Sequence, residues 1–290
     1  MKLLVRHQTI YHYEAAAGHV AMRLKLMPTD TRAQKVLEWQ VSVNGEPVEG
    51  FRRNGFGEME AVWIRHDRLD GARIVAEGLV ETFDTHGVMG WTRGGVPARY
   101  FLRDTRLTRA SDAIRDMALS LPDSGDTLAR LHALSAAVSD AVVYRSGVTD
   151  SFTTAAEAFA LGAGVCQDHA QIFIAGARTL GIAARYVTGY LLAEGGIALH
   201  ETHGWVEALV PDLGWVGFDP SNRVCVTERY LRLASGLDAN AAAPIRGSVR
   251  VAGDIWIDAD VRIAQAEEGL EERQLQRQQQ QSLQPSIPQG

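Results

Sequence analysis

Gly162-Ala163-Gly164-Val165-Cys166-Gln167-Asp168-His169-Ala170 is the stretch on which the reading of this chain turns. A loop of small residues leads straight into Cys166. Behind it Ile172, Phe173, Ala177 and Leu180 recur at helical spacing until Gly181 supplies a stop. The pattern predicts a buried helix with a thiol in its first turn. Backbone N–H groups without intrahelical acceptors and the positive end of the helix dipole converge there, and both favour a thiolate over a thiol. A cysteine so placed is either a nucleophile or a small core residue. The rest of the chain has to decide between them.

A nucleophilic cysteine needs a base to take its proton and an acid to orient that base. Downstream lie Thr202-His203-Gly204-Trp205-Val206-Glu207 and then Val216-Gly217-Phe218-Asp219-Pro220-Ser221-Asn222. Pro211-Asp212-Leu213-Gly214, between them, is a turn signal, so the two segments are expected to form a hairpin with His203 and Asp219 near one end. The register imposes a condition. With residues 211–214 as the loop, Val210 pairs with Trp215 and Asp219 with Val206, which sends His203 and Asp219 to opposite faces. A Cys-His-Asp triad therefore requires a bulge, or a loop longer or shorter by an odd number of residues. Asn222 is an alternative orienting group, since an amide serves that purpose in papain-like sites.

Composition sets the wider frame. The chain has 290 residues, 46% hydrophobic and 22% charged, with a formal charge of −6, which argues against a nucleic-acid or anionic-membrane partner. No apolar run approaches the ~20 residues needed to span a bilayer. Two cysteines, Cys166 and Cys225, make no disulfide framework, and Cys225 carries no motif and reads as structural. Met1-Lys-Leu-Leu-Val-Arg-His breaks into charge too early for a signal-peptide core, so a cytoplasmic location is expected.

Residues 1–105 alternate with period two and read as a β-rich domain, most simply a small sandwich, with a hairpin signal at Asn44-Gly45. Four of its histidines, His7, His12, His66 and His86, read as surface or half-buried strand residues. Residues 106–264 change to helical patterns: Ile114 to Leu121, Leu128 to Val142 behind Asp126, and a capping box at Thr154-Ala-Ala-Glu157. Strands follow, the last of them carrying Ile255, Ile257, Ala259, Val261 and Ile263 on one face. Helices followed by antiparallel strands is an α+β order. From 265 to 290 the chain is rich in Gln and poor in apolar residues, and a frayed or disordered tail is expected.

The three motifs around Cys166, His203 and Asp219, in that order, resemble the core of the transglutaminase-like superfamily. More narrowly, the chain is similar to the bacterial transglutaminase-like cysteine proteases, in which a β-rich N-terminal region precedes the core. The resemblance extends over nearly the whole chain to about residue 264. It implies a papain-like α+β core, with Cys166 as nucleophile, His203 as base and Asp219 as orienting acid. It also implies thioester chemistry on a peptide or protein amide without a cofactor, although some relatives have lost catalysis. Gly204 stands where these proteins commonly have alanine. Because relatives use an upstream aromatic donor, Tyr144 is a candidate oxyanion partner for the Cys166 N–H; otherwise it is core. Trp205, Trp215 and Tyr190 either wall a substrate groove or simply pack. Asp168 reads as an acid stabilising the helix N-terminus, since a carboxylate beside the sulfur would oppose thiolate formation.

Hydrolysis is expected over transfer to an amine, because no residue pattern advertises an acceptor site. Two readings of other classes remain open here. One is a structural zinc site from Cys166-x-x-His169 and His200-x-x-His203; the other is an inactive binding module.

Overall fold

Period-two patterning puts alternate side chains on opposite faces of a strand, and the first third of the chain obeys it. In the computed structural model, which describes residues 1–91, 95–123, 125–193 and 201–266, this region forms eight strands. They are β1 (Lys2–Ala17), β2 (His19–Met27), β3 (Gln34–Val43), β4 (Glu46–Pro47), β5 (Arg52–Arg53), β6 (Met59–Arg65), β7 (Leu69–Thr82) and β8 (Val88–Gly90). Along β1, Leu3, Val5, His7 and Thr9 are buried and the residues between them are not. Asn44 and Gly45 take φ of 53° and 85°, the left-handed pair that a two-residue turn between β3 and β4 demands.

The helices begin where side chains can cap them. Ser111 caps α1 (Asp112–Leu119), Asp126 caps α2 (Thr127–Ala141), and Thr154 with Glu157 closes a capping box on α3 (Ala155–Leu161). Two short strands, β9 (Val143–Tyr144) and β10 (Ala163–Gly164), pair in parallel just before α4 (Cys166–Thr179). Every residue of α4 from Asp168 to Arg178 is buried, so this is the central helix of the core.

Next come β11 (Ala184–Leu191), β12 (His203–Val210), β13 (Gly214–Asp219), β14 (Val224–Cys225) and β15 (Tyr230–Gly236). They form one antiparallel sheet in the order β14-β13-β12-β11-β15, and β8 adds to β13. A one-turn helix α5 (Ala239–Ala242) leads to β16 (Ile245–Arg250) and β17 (Ile255–Gln265). The fold is α+β: a β-rich region, then helices, then antiparallel strands.

The last two strands correct the expectation that residues up to 264 belong to the core. β17 pairs with β1 and β16 with β2, completing two sheets of order β17-β1-β7-β3-β4 and β16-β2-β6-β5. The reason is edge protection. Without β17, the sixteen-residue β1 would present a row of unpaired backbone groups, and the inward Val261 and Ile263 of β17 would lose the sandwich interior that buries them. Residues 267–290 of the Gln-rich tail lie outside the described residues.

Sandwich and core share side chains. Tyr190, Leu192, Leu231 and Leu233 pack into the same cluster as Leu3, Val5 and Ile263. A buried chain of ions crosses the same boundary. Lys25 meets Glu58 at 3.2 Å, Glu58 meets Arg232 at 3.7 Å, Arg232 meets Glu207 at 2.9 Å and Glu207 meets Arg185 at 2.5 Å. All five side chains are at most 8% exposed.

Candidate active site

Gly162 ends α3 at φ 66°, a left-handed cap that turns the chain back through β10. At Gly164 a Cβ would lie 2.6 Å from an Asp168 carboxylate oxygen, so only glycine fits. That carboxylate accepts the Val165 N–H at 2.8 Å and the Thr149 hydroxyl at 2.7 Å, binding the loop to the helix start. Asp168 is thus committed to the loop, and Cys166 is left half-buried at the first helical position.

The hairpin meets the register condition by shortening its loop. Gly214 is the first residue of β13 and pairs with Val210, leaving Pro211, Asp212 and Leu213 as a three-residue turn with Asp212 at φ 64°. Val206 then faces Phe218, and the same register puts Asp219 opposite Trp205. His203, two residues before Trp205, therefore shares a face with Asp219. Their side chains meet at 2.6 Å, His203 Nε2 to Asp219 Oδ2.

Asp219 is fully buried and surrounded by donors. Oδ2 also accepts the Asn222 side-chain amide at 2.7 Å and the Tyr230 hydroxyl at 2.8 Å. Oδ1 accepts the Ser221 N–H at 3.0 Å, the Ser221 hydroxyl at 2.6 Å and the Asn222 N–H at 3.2 Å. Burial alone would raise the Asp219 carboxyl, but the hydrogen bond and charge of His203, with Ser221 and Asn222, hold it down at about 2. For His203, burial pulls the imidazole down, while side-chain hydrogen bonds to Asp219 and to Cys166, with both opposing charges, push it up to about 10. With Nε2 held by Asp219, Nδ1 is the ring nitrogen left for the sulfur.

Two cavities flank this pair. One of about 390 Å³ is lined by Cys166, Gln167, Tyr186 and Glu201 and by residues of β1 and β17. The other, about 560 Å³, is lined by His203, Asn222, Tyr144, Tyr230 and Arg229.

Residues 115–220 match the model of the transglutaminase-like superfamily, and residues 3–81 match that of the bacterial transglutaminase-like N-terminal region. The chain belongs to the transglutaminase-like superfamily. An uncharacterised protein of Mycobacterium tuberculosis is 27% identical over 271 residues, spanning 84% of this chain and 86% of its own length. One from Mycobacterium leprae is 33% identical over 125 residues, 41% of this chain and 44% of that protein. The structure of a candidate cysteine protease from Cytophaga hutchinsonii superposes with a TM-score of 0.71 at 22% identity, covering 92% of this chain and 91% of that one, so the fold is shared along its length.

Against this family frame several sequence expectations change. Trp205, Trp215 and Tyr190 are no groove wall: they are 2%, 4% and 0% exposed. Trp205 stacks behind His203 with ring centres 6.2 Å apart, and Trp215 packs edge-on to Phe101. Tyr190 points into the sandwich, where its hydroxyl meets His7 Nδ1 at 2.9 Å. Each sits on a strand face covered by another layer, so none is free to meet a ligand. Tyr144, by contrast, is not core: it is 54% exposed and lines the His203 cavity.

His169 is turned away from any metal. Its two ring nitrogens each lie 2.9 Å from a carbonyl oxygen, of Val165 and of Val142, so neither is available as a ligand. His200 lies outside the described residues, and among those described no three His, Cys, Asp or Glu side chains gather as a metal site.

Four neighbours of the site escaped the sequence reading. Ser221 had a signal, because an Asx turn after Asp-Pro aims its N–H and hydroxyl back at Asp219. Tyr186 had an indirect one. Its hydroxyl lies 1.9 Å from where a Cβ on Gly204 would be, which explains why alanine is not used there. His7 alternates inward on β1 and is 5% exposed, more buried than expected. Tyr230 had none, since only tertiary packing brings it to Asp219.

Proposed function

We propose that this protein is a thiol hydrolase of peptide or protein amides. The observation that carries the reading is the His203 imidazole, held at 2.6 Å by the buried Asp219 carboxylate and raised by its interactions with that carboxylate and with Cys166. The Cys166 sulfur attacks the amide carbonyl carbon, forming a C–S bond and a tetrahedral oxyanion. The N–H of Cys166, at a helix N-terminus, stabilises that oxyanion, and the Tyr144 hydroxyl is the second donor. Collapse breaks the C–N bond as His203 gives its proton to the leaving nitrogen. Water then attacks the thioester carbon, His203 takes a proton from it, and the sulfur leaves as thiolate.

Asp219 works by staying ionised. All its bonds are from donors, so a proton on it would face N–H and O–H groups rather than acceptors. It holds the ring with Nδ1 toward the sulfur and stabilises the imidazolium formed during turnover.

The test compares wild type, Cys166→Ala and His203→Ala. In wild type, iodoacetamide should alkylate Cys166 at least about tenfold faster than Cys225, whose half-buried thiol is pushed up by burial. His203→Ala should remove most of that difference, and both variants should fail to hydrolyse fluorescently labelled casein and dipeptidyl aminocoumarin amides. Equal alkylation of the two cysteines, or hydrolysis surviving in Cys166→Ala, would refute the reading.

A further inference from the structure

The cavity at the sulfur has walls from both parts of the molecule. Cys166 and Gln167 form one side at the start of α4. Opposite them stand His7, Thr9 and Tyr11 of β1 with Ala259 and Val261 of β17. These β residues share one sheet face, because His7 pairs with Val261 and Thr9 with Ala259 across the β1–β17 ladder. The charged neighbours on those strands, Arg6, Asp258, Asp260 and Arg262, alternate to the other face.

The charge of the lining is one-sided. Glu201, exposed at the mouth, is its carboxylate, and no lysine or arginine is among the described lining residues. His7 adds no cation near neutral pH, since burial pushes its imidazole down to about 4 against the smaller opposing pull of Asp260. Apart from the Cys166 sulfur, the remaining groups are neutral: hydroxyls, aromatic rings, the Gln167 amide and aliphatic side chains.

Chemistry decides which half of a substrate belongs there. The acyl group stays on the sulfur when the amide breaks, while the leaving nitrogen takes its proton from the imidazole. The cavity bordered by Cys166 is therefore the acyl side, and the cavity bordered by His203 is the leaving-amine side. We propose that the β1–β17 face of the N-terminal sandwich is the specificity wall for the acyl residue, and that it admits neutral or cationic side chains and rejects carboxylates. At about 390 Å³ the space lies in the range of small-ligand sites, enough for a side chain with its flanking backbone. This inference rests on the thiol-hydrolase reading for the words acyl side, but its test does not need turnover.

The probes are peptidyl chloromethyl ketones that differ only in the side chain beside the ketone: Lys, Gln, Leu or Glu. The Cys166 thiolate displaces chloride, a C–S bond replaces C–Cl, and intact-mass spectrometry gives the rate, with iodoacetamide as the small reference. The Glu ketone should react at least tenfold more slowly than the Lys, Gln and Leu ketones. Glu201→Gln should erase the disadvantage of the Glu ketone. Ala259→Phe replaces an exposed side chain, so it should fold, and it should lower the ratio of ketone to iodoacetamide rates at least tenfold. Equal rates for the Glu and Lys ketones, an unchanged ratio in Ala259→Phe, or no labelling of Cys166 by iodoacetamide would overturn the proposal. If this labelling pattern holds while no amide is hydrolysed, the cavity assignment stands and the hydrolase reading alone falls.

Discussion

Strand β12 carries two buried ionic sites four residues apart, and they behave as opposites. At one end His203 is paired with Asp219 beside a thiol and two open cavities. Further along, Glu207 is clamped between Arg185 and Arg232, in the chain that runs on to Glu58 and Lys25. Both have carboxylates fully enclosed by donors. The first contains an imidazole, whose proton moves at accessible pH; the second contains guanidinium and ammonium groups, whose protons do not. Burial alone therefore does not mark an active site. A mobile proton next to a nucleophile and a cavity does, and the Glu207 end lacks the nucleophile.

The contrast predicts separable losses. The largest belongs to Asp219→Asn. It should lower amide hydrolysis about 10⁴-fold by leaving His203 misoriented, measured as kcat on the casein or coumarin substrates. At the other end, Glu207→Gln leaves Arg185 and Arg232 buried without their carboxylate. It should cost about 3–5 kcal/mol in urea unfolding, while Cys166 in the protein that remains folded keeps its alkylation rate. A Glu207→Gln protein as stable as wild type would show that the Arg185–Glu207–Arg232 clamp does not stabilise the core sheet.

A smaller effect should appear in the pH dependence of stability. The folded His203 imidazole is raised above its ordinary 6.5 to about 10. Its contribution is therefore fully present below pH 6.5 and is lost as pH rises through about 10. Asp219, depressed from 3.8 to about 2, contributes above 3.8 and loses its share as pH falls through about 2. Urea unfolding between pH 6.5 and 10 should show the alkaline decline in wild type and not in His203→Gln. An unchanged decline in that variant would assign it to another group.

The smallest change is steric. Gly204→Ala should destabilise by about 1–3 kcal/mol through overpacking against the Tyr186 ring, and Tyr186→Phe should recover part of the loss in a double-mutant cycle. Additive costs would mean that the two side chains do not compete for the same space.

Local chemistry made much of the fold readable in advance. The Thr154–Glu157 capping box, the Asn44-Gly45 turn and the helical repeat behind Cys166 each depend on residues within a few positions of one another. The motifs at 203 and 219 were equally plain as sequence, but whether they share a face hung on one residue of loop length. The aromatic strand residues stayed undecided between groove wall and packing for a related reason. Period two says that Trp205 and Trp215 face one side, not whether that side meets solvent or another layer.

The sequence alone determined the α+β order, the thiol at a helix start and the downstream His and Asp motifs, because propensity, capping and periodicity act over one or two turns of chain. Tertiary structure alone decided that β13 begins at Gly214, that β17 returns to cover β1, and that Tyr230 reaches Asp219 across the sheet. Those contacts join residues far apart in the chain. They are selected by which arrangement buries apolar faces and satisfies edge hydrogen bonds for the whole molecule at once.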